Sequence, residues 1–98
     1  MARLTKAKRG KHRWIGLALD SNLRSRKQFE AILDKLLINS IWKLYDFKTV
    51  NDVTYSIVKI DLNSYKESIE ILNSHELIVT ITSSGKIKLV RERMEIKF

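Results

Sequence analysis

The lysines and arginines of this chain are the residues whose type and spacing offer chemistry, and they are concentrated at its two ends. Residues 1–13 hold six cations and no acid, and residues 86–98 hold five cations and two acids. Residues 14–85 hold eight cations and nine acids, so the middle of the chain is nearly neutral. Basic clusters of this kind are typical of proteins that contact a phosphate backbone. The alternative interpretation is a solvated basic tail.

The predicted phosphate contacts are the cations of both ends and the small residues of a Ser-Ser-Gly turn, whose backbone N–H groups can face an anion. They are Arg3, Lys6, Lys8, Arg9, Lys11, Arg13, Ser84, Gly85, Lys86, Lys88, Arg91 and Arg93. Contacts of this type position a protein on a folded RNA without reading its sequence. The turn equally suits an ordinary strand end.

The composition offers little for catalysis or metal binding. The chain has no cysteine, its His12 and His75 are far apart, and its three glycines form no phosphate-binding loop motif. Its eleven acids are scattered along the chain. We therefore expect no catalytic residue, no metal and no bound cofactor. We also expect a cytoplasmic protein without a membrane partner, because no segment approaches the roughly 20 apolar residues of a membrane span.

The spacing of apolar residues predicts strands over 14–20, 42–48, 53–61 and 76–82. Ser-x-x-Gln and Ser-x-x-Glu capping boxes at Ser25 and Ser64 predict the starts of two helices, the second ending near residue 74. The order β-α-β-β-α-β is the split β-α-β, or ferredoxin-like, α+β arrangement, with a four-stranded antiparallel sheet and two helices on one face.

The predicted organisation along the chain is a basic N-terminal arm (1–13), an α/β sandwich domain (14–85) and a basic C-terminal segment (86–98). Leu89, Val90 and Met94 give that last segment a weak helical face, so it is expected to form either a short helix or an extended arm.

The first strand has one apolar face and one nearly bare face, which carries Gly16 and Ala18. A bare face lets another backbone approach closely, and Trp14 lies at its edge. We therefore assign Trp14, Gly16 and Ala18 to a protein interface, with simple burial at the sheet rim as the alternative for Trp14. The third strand has only Tyr55 in the frame where RNA-recognition motifs carry aromatic residues, so base stacking on the sheet is not expected.

Three stretches of the chain resemble one known family. A basic arm runs into Arg13-Trp14-Ile15-Gly16-Leu17, a strand over 55–61 leads through a polar turn to a helix over 64–72, and the last strand ends in Thr82-Ser83-Ser84-Gly85-Lys86-Ile87-Lys88. These features are similar to the small α/β protein subunit of archaeal and eukaryotic ribonuclease P, called ribonuclease P protein component 2 in archaea. Lys86 departs from the threonine that the family often has, and two of the connections are short.

The resemblance implies a protein that binds the catalytic RNA of ribonuclease P and helps it fold to remove the 5′ leader from precursor tRNA. In that family the RNA performs the reaction with Mg²⁺, so the protein is not an enzyme by itself. The implied protein partners are ribonuclease P protein component 3, a TIM-barrel-type subunit, and a second copy of the chain within the complex. One alternative is a ribosomal or generic RNA-binding α/β module. Another is a ligand-sensing regulatory domain or small hydrolase of the same topology, with a pocket near residues 20–25.

Overall fold

A computed structural model of the chain describes residues 11–20, 22–23 and 25–96. The strands are β1 (His12–Leu19), β2 (Trp42–Val50), β3 (Val53–Asp61) and β4 (Ile78–Ser84), and the helices are α1 (Arg26–Leu36), α2 (Tyr65–Ser74) and α3 (Ile87–Met94). The strands form one antiparallel sheet in the order β2-β3-β1-β4. The predicted ferredoxin-like fold is therefore confirmed, with α3 as an additional helix.

The hairpin between β2 and β3 turns at Asn51 and Asp52, whose φ angles are 52° and 69°. Two consecutive residues of positive φ make a type I′ turn, whose twist matches that of the flanking strands. Asn and Asp tolerate this left-handed conformation better than most residues. The turn predicted around residue 51 is confirmed, and β2 continues to Val50 instead of ending at Lys48.

The starts of α1 and α2 differ from each other, although the sequence predicts the same cap for both. The Ser25 hydroxyl accepts a hydrogen bond from the N–H of Gln28 at 3.4 Å, as a capping residue does. The Ser64 hydroxyl instead donates to Asp61 Oδ2 at 3.1 Å and caps nothing. The chain enters α2 through a short 3₁₀ turn (Leu62–Ser64), which changes the geometry at Ser64. The second helix is in its predicted place, but its predicted capping bond is wrong.

The main core lies between one face of the sheet and helices α1 and α2. Its buried residues follow the alternation predicted for the strands and the helical spacing predicted for α1. They include Ile15, Leu17 and Leu19 of β1, Phe29 and Leu33 of α1, Val58 and Ile60 of β3, and Leu72 of α2. No helix in the described part of the chain is long and apolar enough to cross a membrane.

The opposite face of the sheet carries the C-terminal helix α3. Val90 and Met94 of α3 form a second buried cluster with Trp14 and Ile57 of the sheet. Of the two forms expected for residues 86–98, the structure has the helix. The polypeptide after β4 therefore crosses the sheet and covers the face that the sequence leaves nearly bare at Gly16.

Candidate nucleic-acid interface

Two groups of the predicted phosphate contacts, Arg13 and the turn of Ser84, Gly85 and Lys86, meet at one end of the sheet. Because β1 and β4 are antiparallel neighbours, Trp14 pairs with Ser84, which brings the start of β1 beside the end of β4. The Arg13 guanidinium lies against Gly85, since a Cβ built there would be 3.4 Å from Arg13 Nη1. Basic residues from the two ends of the sequence thus share one surface. Arg3, Lys6, Lys8 and Arg9 lie outside the described residues.

The Arg13 side chain is held in place by aromatic and backbone contacts instead of a carboxylate. Its guanidinium carbon is 5.9 Å from the centre of the Tyr65 ring, a cation–π distance. Its Nη1 also donates to the His12 carbonyl oxygen at 3.1 Å. The hydroxyl of Tyr65 is hydrogen-bonded in turn to that of Ser83. These contacts leave most of the guanidinium donors of Arg13 for an external acceptor.

The turn after β4 presents small and basic residues to solvent. The N–H of Lys86 donates to Ser84 Oγ at 3.2 Å, and Gly85, Lys86 and Lys88 are exposed. Lys86 is the N-cap residue of α3, and no side chain caps that helix. Uncapped N–H groups at a helix start attract anions, so this turn suits the phosphate contact predicted for it.

Arg91 and Arg93 anchor α3 to the sheet on its two sides. Arg91 makes a two-bond contact with the carboxylate of Asp46 on β2, at 2.8 and 3.1 Å. The hydrogen bonding to Asp46 raises the pKa of Arg91 above its usual value. Arg93 Nη1 donates to the Ser83 carbonyl oxygen at 3.0 Å and to Thr82 Oγ1 at 3.3 Å on β4. Both arginines are predicted RNA contacts, and both already use part of their donors within the protein.

The residues assigned to a protein interface lie on the face that α3 covers. Trp14 is 8% exposed and makes an edge-to-face contact with Tyr45, with ring centres 4.6 Å apart. Gly16 is buried directly under α3, and a Cβ there would be 2.5 Å from Met94 Sδ. Ala18 is half-buried beyond it. The close approach expected at Gly16 is made by the chain's own helix, and a protein interface at these residues stays a prediction.

No family model matches this chain, and no curated protein matches it. Among the described residues, no group of three or more His, Asp or Glu side chains is placed to hold a metal ion. The described part of the chain is therefore defined by its fold and its charge: a ferredoxin-like protein in which Arg13, at the start of β1, lies beside the basic turn that follows β4.

Proposed function

We propose that this protein binds RNA as a subunit of a ribonucleoprotein, and that the RNA is the catalytic RNA of ribonuclease P. The observation that supports RNA binding best is the convergence of basic residues from both ends of a chain whose middle is nearly neutral. In this proposal Arg13, Lys86 and Lys88 contact phosphates, and the cations of residues 1–10 extend the same contact.

The charges at this surface favour a polyanion as partner. Within the described residues Lys11, Arg13 and Lys86 form no ion pair with a carboxylate. Like charges brought together on one surface repel each other in the free protein. Binding to a phosphate backbone reverses that repulsion and releases counterions from the RNA.

The choice of ribonuclease P RNA rests on the resemblance of three stretches to component 2 of that enzyme. In the proposed role the protein supports the fold of the RNA, and the RNA supplies the chemistry with its own Mg²⁺. A generic RNA-binding module would carry the same charges, so only the identity of the RNA separates these two proposals. A ligand-sensing domain or hydrolase would leave the basic termini without a purpose.

Reconstitution tests the proposed function directly. Precursor tRNA is cleaved by ribonuclease P RNA with the component 3 partner, in the presence and absence of this chain. We expect the chain to raise the cleavage rate and lower the Mg²⁺ requirement. If neither changes, the ribonuclease P assignment is wrong. Affinities for ribonuclease P RNA and for an unrelated folded RNA of equal length then separate a ribonuclease P subunit from a generic RNA-binding module. Equal affinities indicate the generic module.

Removal of residues 1–10 tests the contribution of the basic arm. This deletion removes four cations and leaves β1 intact, because β1 begins at His12. We expect weaker RNA binding and a salt dependence whose logarithmic slope falls by about three to four. The matched control neutralises Lys27, Lys35 and Lys66, which are exposed on α1 and α2, and should leave the slope nearly unchanged. An unchanged slope after the deletion would make the arm a solvated tail.

A further inference from the structure

Helix α3 does not cover the whole sheet face on which it lies, and one corner of that face is exposed. Lys59 lies opposite Trp14 on β1 and opposite Lys43 on β2, and Asp61 lies opposite His12. Because side chains alternate along strands, these residues share the face on which α3 lies. Lys59, Lys43, Asp61 and His12 line a groove of about 400 Å³ at the start of β1, together with Lys11 and Ile41. Ligand pockets in proteins occupy roughly 300–1,000 Å³, so this groove has room for one nucleotide.

The groove contains an unfavourable pair of charges. Lys43 and Lys59 are direct cross-strand neighbours, and like charges in this position destabilise a sheet. Their ammonium groups lie over aromatic rings, Lys43 at 5.3 Å from the centre of Tyr45 and Lys59 at 5.5 Å from that of Trp14. In the described part of the chain neither lysine pairs with a carboxylate. An anion in the groove would relieve the repulsion between the two ammonium groups.

The one acid that lines the groove is already engaged. Asp61 Oδ1 accepts the N–H of Ile41 at 2.9 Å, and Oδ2 accepts the hydroxyl of Ser64 at 3.1 Å. These bonds hold the start of β2 and the turn before α2, and they occupy both oxygens of the carboxylate. With Lys11 the groove lining carries three cations against this single anion.

The groove also offers an apolar surface beside its charges. Ile41 is 80% exposed and lines the groove with an aliphatic side chain. The His12 ring is packed edge-on against Trp14, with ring centres 5.5 Å apart, and also lines the groove. A flat apolar group against Ile41 and His12, joined to an anionic group at the lysines, matches both parts of this lining.

We propose that this corner groove binds an unpaired nucleotide of an RNA, with its base against Ile41 and His12 and its phosphate at Lys43 and Lys59. Unpaired bases stack on apolar and aromatic side chains while cations track the backbone. An RNA is favoured over an acidic peptide because the basic arm joins the chain at Lys11, so the arm and the groove would contact one strand. The inference rests on the proposed RNA-binding function and adds a base contact to it.

Fluorescence titration of the full chain tests the proposal, because Trp42 lines the groove and Trp14 lies under Lys59. The probes are a uridine hexanucleotide, its abasic counterpart, a duplex of the same length and a hexaglutamate peptide. We expect the hexanucleotide to change the fluorescence and to bind about tenfold more tightly than the abasic strand. Ile41→Ser should remove most of that difference.

A double variant, Lys43→Gln with Lys59→Gln, tests the phosphate contact. We expect hexanucleotide affinity to fall about tenfold and the logarithmic salt slope to fall by about 1.4. Loss of the repulsion should leave the urea midpoint unchanged or higher, so weaker binding cannot be attributed to unfolding. The matched control, Lys27→Gln with Lys35→Gln on α1, should bind like the unmodified chain.

Three outcomes would overturn the inference. Abasic strand or duplex binding as tightly as the hexanucleotide would mean that no base is held. Unaltered binding by the lysine variant would place the phosphate elsewhere. The groove would be a peptide site if hexaglutamate competes equally with RNA and if its binding disappears in the lysine variant. If ribonuclease P RNA still binds in any of these cases, the proposed function survives, whereas absence of all RNA binding would refute both.

Discussion

The packing of α3 on Gly16 predicts that a single methyl group at this position will destabilise the protein. A Cβ on Gly16 would be 2.5 Å from Met94 Sδ and 3.0 Å from Val90 Cγ1, where non-bonded carbons prefer about 3.5–4.0 Å. Met94 is flexible and can move partly aside. Val90 is β-branched and has one strongly preferred rotamer in a helix, so it cannot. We therefore expect Gly16→Ala to displace α3 from the sheet.

The magnitude follows from two opposing effects. Overpacking a well-filled core costs about 1–3 kcal/mol. Replacing glycine by alanine also restricts the unfolded chain, which stabilises by about 0.4–1 kcal/mol. The net loss in the free energy of unfolding should be about 1–2 kcal/mol for Gly16→Ala. Met94→Ala removes a side chain that is 8% exposed and should cost about 2–3 kcal/mol.

The double variant measures the contact itself. Met94→Ala vacates the space that the new methyl group needs, so the two losses should not add. We expect the double variant to be about 1 kcal/mol more stable than the sum of the single variants predicts. Urea unfolding followed by tryptophan fluorescence gives the free energies, with the m-value as a check on two-state behaviour.

Gly85→Ala is the matched control for Gly16→Ala. A Cβ there meets only Arg13 Nη1 at 3.4 Å and the position is exposed, so the protein should keep its stability or gain up to about 1 kcal/mol from the restricted unfolded chain. A Gly16→Ala protein as stable as the unmodified chain would refute the packing of α3 on β1. Additive losses in the double variant would refute the contact between Gly16 and Met94.

Three further predictions concern single contacts and are measured by the same unfolding assay. Arg91→Gln should cost about 0.5–1 kcal/mol through loss of the contact with Asp46, because the Arg91 side chain is 45% exposed and the contact is screened by solvent. Since the pKa of Arg91 is raised, this contribution is complete below the ordinary arginine pKa and is lost only as the pH rises through the raised one. Equal losses are therefore expected at pH 6 and pH 9. Asn51→Val should cost about 1–2 kcal/mol because a β-branched residue disfavours φ near 52°, and an unchanged midpoint would contradict the type I′ turn. Ser25→Ala should remove a cap worth about 0.5–1 kcal/mol. Ser64→Ala should leave α2 folded. An equal loss of helix in the two variants, measured by circular dichroism, would contradict the difference between the starts of α1 and α2.

The elements that the sequence predicts correctly are those determined by neighbouring residues. The alternation of Ile15 with Gly16 identifies the two faces of β1, and Ser25 identifies the start of α1. The turn at Asn51 and Asp52 needs no tertiary contact, because its residue types favour positive φ by themselves. Ser64 shows the limit of this approach, since its hydroxyl has a competing partner in Asp61 that the capping motif does not include.

The position of α3 could not be predicted because it depends on contacts between distant residues. The bare face at Gly16 and the weak helical face of Val90 and Met94 are both visible in the sequence. No local pattern indicates that Val90 and Met94 pack on the bare face at Gly16. The contact of Arg91 with Asp46 joins residues that are 45 positions apart in the sequence. A bare strand face predicts a close approach, but the identity of the approaching element is a property of the folded chain.

The groove at Lys43 could not be predicted from the sequence because the pairing of β2 is irregular. Counting back from the hairpin turn, a regular ladder would pair Lys43 with Ile60. The register shifts between Leu44 and Asp46, and Lys43 therefore lies opposite Lys59. A bulge inserts one extra residue into a strand, and here that residue is Tyr45. With regular pairing of the same residues, the two lysines would not lie opposite each other.

The bulge at Tyr45 lies on the sheet face that α3 covers in part, between the region under α3 and the groove at Lys43. Residues 43 and 46 would lie on opposite faces of a regular strand, because side chains alternate. The extra residue brings Lys43 and Asp46 to the same face, where Asp46 holds Arg91 of α3 and Lys43 lines the groove. The Tyr45 ring lies under the Lys43 ammonium group and packs against Trp14. The irregular pairing of β2 therefore places Asp46 where it holds α3 and Lys43 where it lines the groove that the helix leaves open.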